Sequence, residues 1–391
     1  MSRFYPKAQA LYDQLVTHRR DFHAHPELGF QEFRTAGIVA QELTKLGLEV
    51  QTGVGKTGVV GLMGGNLPGA TVLLRFDMDA LPIVEETGVA FQSQNAGVMH
   101  ACGHDAHTSM GLALAKMFSE YRDTIKGTLK FVFQPAEEAI GGAAEMVKDG
   151  VLSDPAPDYC FGMHVWNSKP LGWVAATPGA VMAAADSWHV TVYGKGGHAA
   201  APEETLDPVV ASAQIVSALQ TLVSRNVSGT DTAVVSVTAI TSGNTTNVIP
   251  EVAYLKGTIR TFKQETRTKL KKRFQEVVLG VGNALGCRVE VAFLDSCDAV
   301  VNDASLASEI RALASQIPTV NLVDDSERVM GSEDYSEFQR GGARSCYFFV
   351  GSAKHNETAY GHHHPKFDID EQSMVIGASL MADTVARIVL P

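Results

Sequence analysis

The sequence predicts an α/β fold: a layered domain with a central sheet flanked by helices, interrupted by an inserted ferredoxin-like β-α-β-β-α-β domain. Three observations predict it. Up to Val165, short apolar runs bounded by Gly and Pro alternate with segments of helical spacing. Between 186 and 297 a second set of strands and helices has the order of one small, complete sheet with two helices. Beyond 298 the chain returns to the first pattern. The division expected is therefore 1–185 with 298–391, and an insert at 186–297.

In order, residues 7–24 carry Ala10, Leu11, Leu15 and Val16 at helical spacing. His25 to Phe30 is a turn, and 31–46 a second helix closed by Gly47. Residues 59–63, 71–76, 128–134 and 159–165 are strands. A helix follows from Thr108. In the insert, 188–193, 233–240, 252–262 and 288–294 are strands, and 208–222 and 265–285 helices. Helix 304–316, strand 345–350, a His-rich loop and helix 371–389 complete the chain. The stretch Gly53-Val54-Gly55-Lys56-Thr57-Gly58 imitates a phosphate loop, but a strand follows it where a phosphate-binding helix is required. It reads as a turn between strands.

The chain has 391 residues, 45% of them hydrophobic, and a formal net charge of -11. That balance argues against a nucleic-acid or anionic-membrane surface, which needs clustered Lys and Arg. No run approaches the roughly 18 apolar residues of a membrane span. The first residues lack a signal-peptide pattern, so a cytoplasmic protein is expected. Five cysteines argue against a disulfide framework.

The chemistry concentrates in His100-Ala101-Cys102-Gly103-His104-Asp105-Ala106-His107, at a loop and helix entrance. One thiol, three imidazoles and a carboxylate in eight residues are metal-binding types. Asp77-Met78-Asp79, Gln134-Pro135-Ala136-Glu137-Glu138, His164 and His362-His363-His364-Pro365 follow other strand ends. Ligands of open α/β sheets bind beyond the carboxyl ends of strands. Of two adjacent carboxylates, one can bind metal while the other takes a proton from water. Cys160, Cys287, Cys297 and Cys346 sit in or near strands without such company and read as structural, as does His189.

These stretches resemble the dinuclear metallo-amidohydrolases of the aminoacylase and metallocarboxypeptidase superfamily, in the branch of hippurate hydrolases, N-acyl-amino-acid deacylases and plant indole-acetyl-amino-acid hydrolases. The resemblance is carried by His25-Pro26-Glu27-Leu28-Gly29-Phe30, Asp77 to Pro82, His100 to Asp105, Gln134 to Glu138, Gly194-Lys195-Gly196-Gly197-His198-Ala199, Asn247-Val248-Ile249-Pro250, Gly257-Thr258-Ile259-Arg260-Thr261 and Gly331-Ser332-Glu333-Asp334-Tyr335. It implies two divalent ions per subunit, of zinc, manganese, cobalt or nickel. Cys102 would bridge them, His104 and His164 would complete one site, and Glu138 and His363 the other. Glu137 would be the general base and acid, and Asp79 would orient a metal ligand. The insert would be a lid and dimerisation domain. From it His198 would polarise the scissile carbonyl in the other subunit, while Asn247 and Arg260 would bind substrate. The family has a single His before a variable residue and Pro, so the choice of His363 among three rests on its spacing to Pro365. His23, His25, His100, His107, His355 and His362 read as supporting or surface groups.

The activity implied is hydrolysis of N-acyl amino acids carrying acetyl, benzoyl or arylacetyl groups, by a homodimer. The alternative is a dipeptidase or carboxypeptidase, which also breaks an amide next to an amino acid. A metal-loaded binding protein without catalysis is a third reading, disfavoured because base and ligands are all present.

Overall fold

The structure is a computed structural model. It describes residues 1–138, 141–354 and 360–391, without the side chains of Asp295 and Ser296. The described residues form two compact units: Met1–Val181 with Val301–Arg328 and Asp334–Pro391, and Met182–Val300 with Val329–Glu333.

The larger unit is built on a sheet of eight strands among the described residues. Their spatial order is Glu49–Val54, Gly58–Gly64, Lys126–Gln134, Leu67–Asp77, Tyr159–Pro170, Arg344–Ala353, Trp173–Ala175 and Leu322–Asp324. The four central strands, from Lys126–Gln134 to Arg344–Ala353, run parallel. They are almost continuously apolar because both faces are covered, as parallel strands require. Helices His104–Ser119 and Gln372–Val389 pack on them. Nearly every residue of these two helices is buried. The parallel arrangement gathers Asp77, Gln134 and the end of Tyr159–Pro170 at one edge of the sheet.

Two local readings are corrected. The segment expected as one helix over 7–24 is two, Tyr5–Ala10 and Tyr12–Ala24, parted at Leu11. The helix expected from Thr108 begins at His104. Gly103, at φ +90°, turns the chain into it, and Asp105 lies in the first turn, where a carboxylate favours the helix dipole. The Gly53–Gly58 stretch is the turn of a hairpin between Glu49–Val54 and Gly58–Gly64.

In the smaller unit four antiparallel strands lie in the order Ala233–Ser242, Val252–Thr261, Ala184–Tyr193, Arg288–Cys297. Helices Pro208–Asn226 and Gln264–Ala284 pack on them over Trp188, Val190, Leu255, Ile215, Leu219 and Phe274. Asp207 caps the first helix by accepting from the amides of Val209 (2.8 Å) and Val210 (3.3 Å).

Asp186 is fully buried there and accepts from Arg267 Nε (2.7 Å) and Nη2 (3.0 Å) and from Lys271 Nζ (2.8 Å). Burial opposes its ionisation, but the two cations outweigh it and lower its pKa. Its stabilising contribution is therefore fully present above the ordinary Asp range, near pH 3.9, and is lost as pH falls through the lowered value. Asp186→Ala removes the buried acceptor of Lys271 and of part of the Arg267 fork, which keeps Asp298, and should cost about 1–3 kcal/mol, read as a lower midpoint in urea unfolding.

No helix among the described residues is long and apolar enough to cross a membrane.

Candidate metal centre

Arg75 and Asp77 are two residues apart at the end of one strand, so their side chains share a face, and Asp79 follows two residues past its end. Arg75 donates to Asp77 Oδ2 (2.6 Å) and to Gln134 Oε1 (2.7 Å). Gln134 in turn donates to Asp334 Oδ1 (2.7 Å). This buried network forms the floor of the site.

Above it, Asp79 ties two neighbours together. Its backbone carbonyl (2.9 Å) and Oδ1 (3.2 Å) accept from His104 Nδ1, and its Oδ2 accepts from the backbone amide of Glu138 (2.9 Å). His104 Nε2 is buried and has no hydrogen-bond partner among the described residues. Burial disfavours protonation of His104, yet Asp77 and Asp79 push its pKa up to about 10. Burial likewise opposes ionisation of Asp77, but His104, Arg75 and His107 hold it well below the usual carboxylate range.

His164 Nδ1 donates to the carbonyl of Val165 (2.6 Å), which leaves Nε2 as a lone pair 3.4 Å from Cys102 Sγ. Burial, reinforced by His107 and His362, keeps this ring neutral. His363 Nε2 stands 3.0 Å from Glu138 Oε1. Its backbone is held in the left-handed region, at φ +66°, and its amide donates to Ala101 O (2.8 Å). The His-rich loop is thus tied directly to the Cys102 loop. Burial, then Glu138, Glu137 and Asp77, push the Cys102 thiol well up. It ionises when a cation sits beside it.

Potential ligand atoms of Cys102, His104 and His164 lie within 4.8 Å of one another, and so do those of Cys102, Glu138 and His363. Cys102 is common to both groups. A further group joins His104, Glu137 and Glu138. A thiol, imidazoles and carboxylates around an orphaned His104 Nε2 form a donor set that suits divalent transition metals.

His107 also lies near Asp77 and His104, but both its nitrogens are engaged. Nδ1 donates to Asp77 (2.6 Å) and Nε2 accepts from the amide of Val165 (3.0 Å). His362 donates to Val165 O (3.0 Å) and packs on Trp166, while His364 stacks on Tyr360. His23 bonds Asp105 (2.8 Å). Buried Arg19 binds Asp105 (3.0 Å), Asp368 (2.9 Å) and Glu371 (3.1 Å) behind the cluster. His25 bonds the carbonyl of Asp21 (2.8 Å). His100 is buried with neither ring nitrogen hydrogen-bonded among the described residues. His355 lies outside the described residues.

In the smaller unit, His198 and Asn247 come together. His198 pairs with Val248 in a two-stranded ladder, and the amide of Ala199 donates to Asn247 O (3.1 Å). Nδ1 of His198 accepts from the amide of Ala200 (3.0 Å), so the neutral ring carries its proton on exposed Nε2. Arg260 donates through Nε to Thr258 (3.1 Å), and its buried Nη1 has no hydrogen-bond partner among the described residues. His189 lies on the strand Ala184–Tyr193, opposite Lys256 and Ala292.

Roles for Arg75, Asp77 and Asp334 were not expected from the sequence, although charges at every second residue of an apolar strand end were a visible signal. Asp334 had no such pattern around it.

The chain is 40% identical over 371 residues to thermostable carboxypeptidase 2 of Saccharolobus solfataricus, covering 94% of this chain and 93% of that one. It is 36% identical over 383 residues to N-acetylcysteine deacetylase of Bacillus subtilis, covering 98% of each. The crystal structure of the Bacillus subtilis YXEP protein, described as a dinuclear metal binding peptidase from the M20 family, superposes with a TM-score of 0.84. That pair is 31% identical, with 97% of this chain and 99% of that one covered. The profile of peptidase family M20/M25/M40 matches residues 73–387, and the chain belongs to that family.

Proposed function

We propose that the protein is a metal-dependent amidohydrolase that splits N-acyl amino acids into a carboxylic acid and a free amino acid. The observation that carries the reading is the position of Cys102, common to two groups of potential ligands, one with His104 and His164, the other with Glu138 and His363. Those five residues would hold two divalent ions. When bound, the ions would supply Lewis-acid stabilisation of the oxyanion and a nucleophilic water at neutral pH. The mixed donor set suits zinc, with manganese, cobalt and nickel as the metals to test against it.

Glu137 takes the proton that water gives up as its oxygen bonds the acyl carbon. It returns that proton to the amide nitrogen as the C–N bond breaks. Asp79 fixes His104 through Nδ1 and so aims Nε2 at the centre. His198, a donor through Nε2, stabilises the carbonyl oxygen as it becomes negative, acting on the centre of a second copy. Arg260, with one N–H of its fork unpartnered, takes the substrate α-carboxylate beside Asn247. The insert serves as lid and dimerisation domain. Its edge strand, Ala233–Ser242, has no charged residue, and Ile240 is 52% exposed, which supports pairing with a second copy. A cytoplasmic location is supported by five cysteines that are all free thiols.

The carboxypeptidase relative favours a second reading, cleavage of peptides. A panel of N-acetyl, N-benzoyl, arylacetyl and dipeptide substrates, run on stripped protein reloaded with each metal, decides between them. The expected result is no turnover after chelation, restoration by reloading, and higher kcat/KM on acyl amino acids than on dipeptides. Dipeptides as the better substrates, or no acyl substrate turned over with any metal, would overturn the proposal.

A further inference from the structure

Just before Glu137 the backbone does something a non-glycine residue avoids. Ala136 is in the left-handed region at φ +50° and is completely buried. Such a conformation persists where its surroundings over-determine it. Here the determinant is Glu32, a carboxylate with no exposed surface, far from this segment in sequence. Its Oε1 accepts from the amide of Ala136 (2.9 Å) and from that of Phe30 (3.0 Å), itself left-handed at φ +62°. Its Oε2 accepts from the hydroxyl of Thr57, in the hairpin turn that imitates a phosphate loop. On the other side, the carbonyl of Ala136 accepts from the amide of Gly142 (3.2 Å). A Cβ on Gly142 would lie 1.6 Å from Pro135 O, so this approach requires glycine.

We infer that Glu32 is a positioning residue for the reaction: it clamps Ala136 in the left-handed conformation and thereby sets where the Glu137 carboxylate points. The inference rests on Glu137 as the proton carrier. Three donors converge on Glu32, which suits an acceptor-only carboxylate. Without them Ala136 is free to relax to negative φ, which redirects the next side chain. Misplacement of a catalytic group by about 1 Å can cost on the order of 100-fold in rate.

The test uses full-length, metal-loaded protein and three variants. Glu32→Ala is expected to lower kcat on the order of 100-fold with KM and metal content near wild type. Hydrogen–deuterium exchange in a peptide spanning residues 133–138 should accelerate. Glu32→Gln keeps an oxygen for both amides, while its NH₂ can donate to the Thr57 hydroxyl, and should stay within about tenfold of wild type. Adding Ala136→Gly to Glu32→Ala makes the left-handed conformation accessible again and should recover roughly tenfold in kcat. Wild-type turnover and exchange in Glu32→Ala, or a double variant no better than the single one, would overturn the inference. Should Glu32→Ala fail to fold, Ala136→Val is the substitute, since a β-branched side chain is strained at positive φ. It is expected to show the same kcat loss with Glu32 in place, and wild-type turnover in it would sink the idea. The exchange measurement reads the tether whether or not Glu137 proves to be the base, so the two assignments fail separately.

Discussion

A Glu137→Gln protein reloaded with metal is expected to keep its full metal content and to turn over about 10²–10⁴-fold more slowly than wild type. That loss corresponds to about 3–5 kcal/mol of transition-state stabilisation. The substitution preserves size and removes the ability to accept a proton. Glu137 falls in one group with His104 and Glu138, but the neighbouring carboxylate and imidazoles have other partners. Glu138 faces His363, and His104 is turned by Asp79. On the proposed mechanism Glu137 carries the proton from water to the leaving nitrogen. The loss should fall on kcat, because a water-activating carboxylate acts in the transition state and adds little to substrate binding. Turnover measured alongside metal content makes the test sharp. Near-wild-type turnover in a metal-replete sample would defeat the mechanism.

The second large effect is expected at Cys102. Cys102→Ala removes the one side chain common to both ligand groups, so both metal sites should weaken together. Changes to mere supporting residues around metal sites cost about 10–100-fold in affinity, and loss of a shared thiolate should exceed that. The metal-stripped protein gives the control. Its thiol is held protonated, so its loss there removes no charge. The thermal midpoint of stripped protein should therefore change little, while the upward shift produced by metal should largely disappear. Retention of both metals at full occupancy in Cys102→Ala would contradict the bridging role.

Metal-binding residue types at strand ends and at a helix entrance were legible in the sequence, but the choice of Cys102, His104, His164, Glu138 and His363 among them came from the resemblance to the family. The parallel order of the sheet then leaves little choice about where they meet. The supporting groups were harder to read. Arg75 and Asp77 lie at the end of a strand whose residues just before them are apolar, and periodicity alone does not say which neighbour a buried charge will find. Glu32 sits at a helix entrance, where Glu is unremarkable, and its partners at 57 and 136 are set by tertiary packing. Strands were missed where they are short or polar at the sheet margins. Glu49–Val54 is mostly exposed, and Trp173–Ala175 and Leu322–Asp324 have three residues each. A strand that short carries no period to detect. The helix at His104 was placed late because its first turn is polar, and polar residues there serve the site before they serve the helix.

The ion network behind the cluster bears on the order in which the protein is made. Arg19 holds Asp105 from one side and Asp368 and Glu371 from the other, the last across a separation of 352 residues. The loop carrying Cys102 leaves the ribosome early, with its anchor Arg19 already made. Two of the three carboxylates that neutralise that buried cation, Asp368 and Glu371, are made long after the Cys102 loop. A pairing across that separation forms only once both residues have been made, and it must offset the entropy of closing the loop between them. The nascent chain therefore presents the thiol and imidazoles of the Cys102 loop before Asp368 and Glu371 exist to close the network behind them, and final assembly must await the segment that carries those two carboxylates.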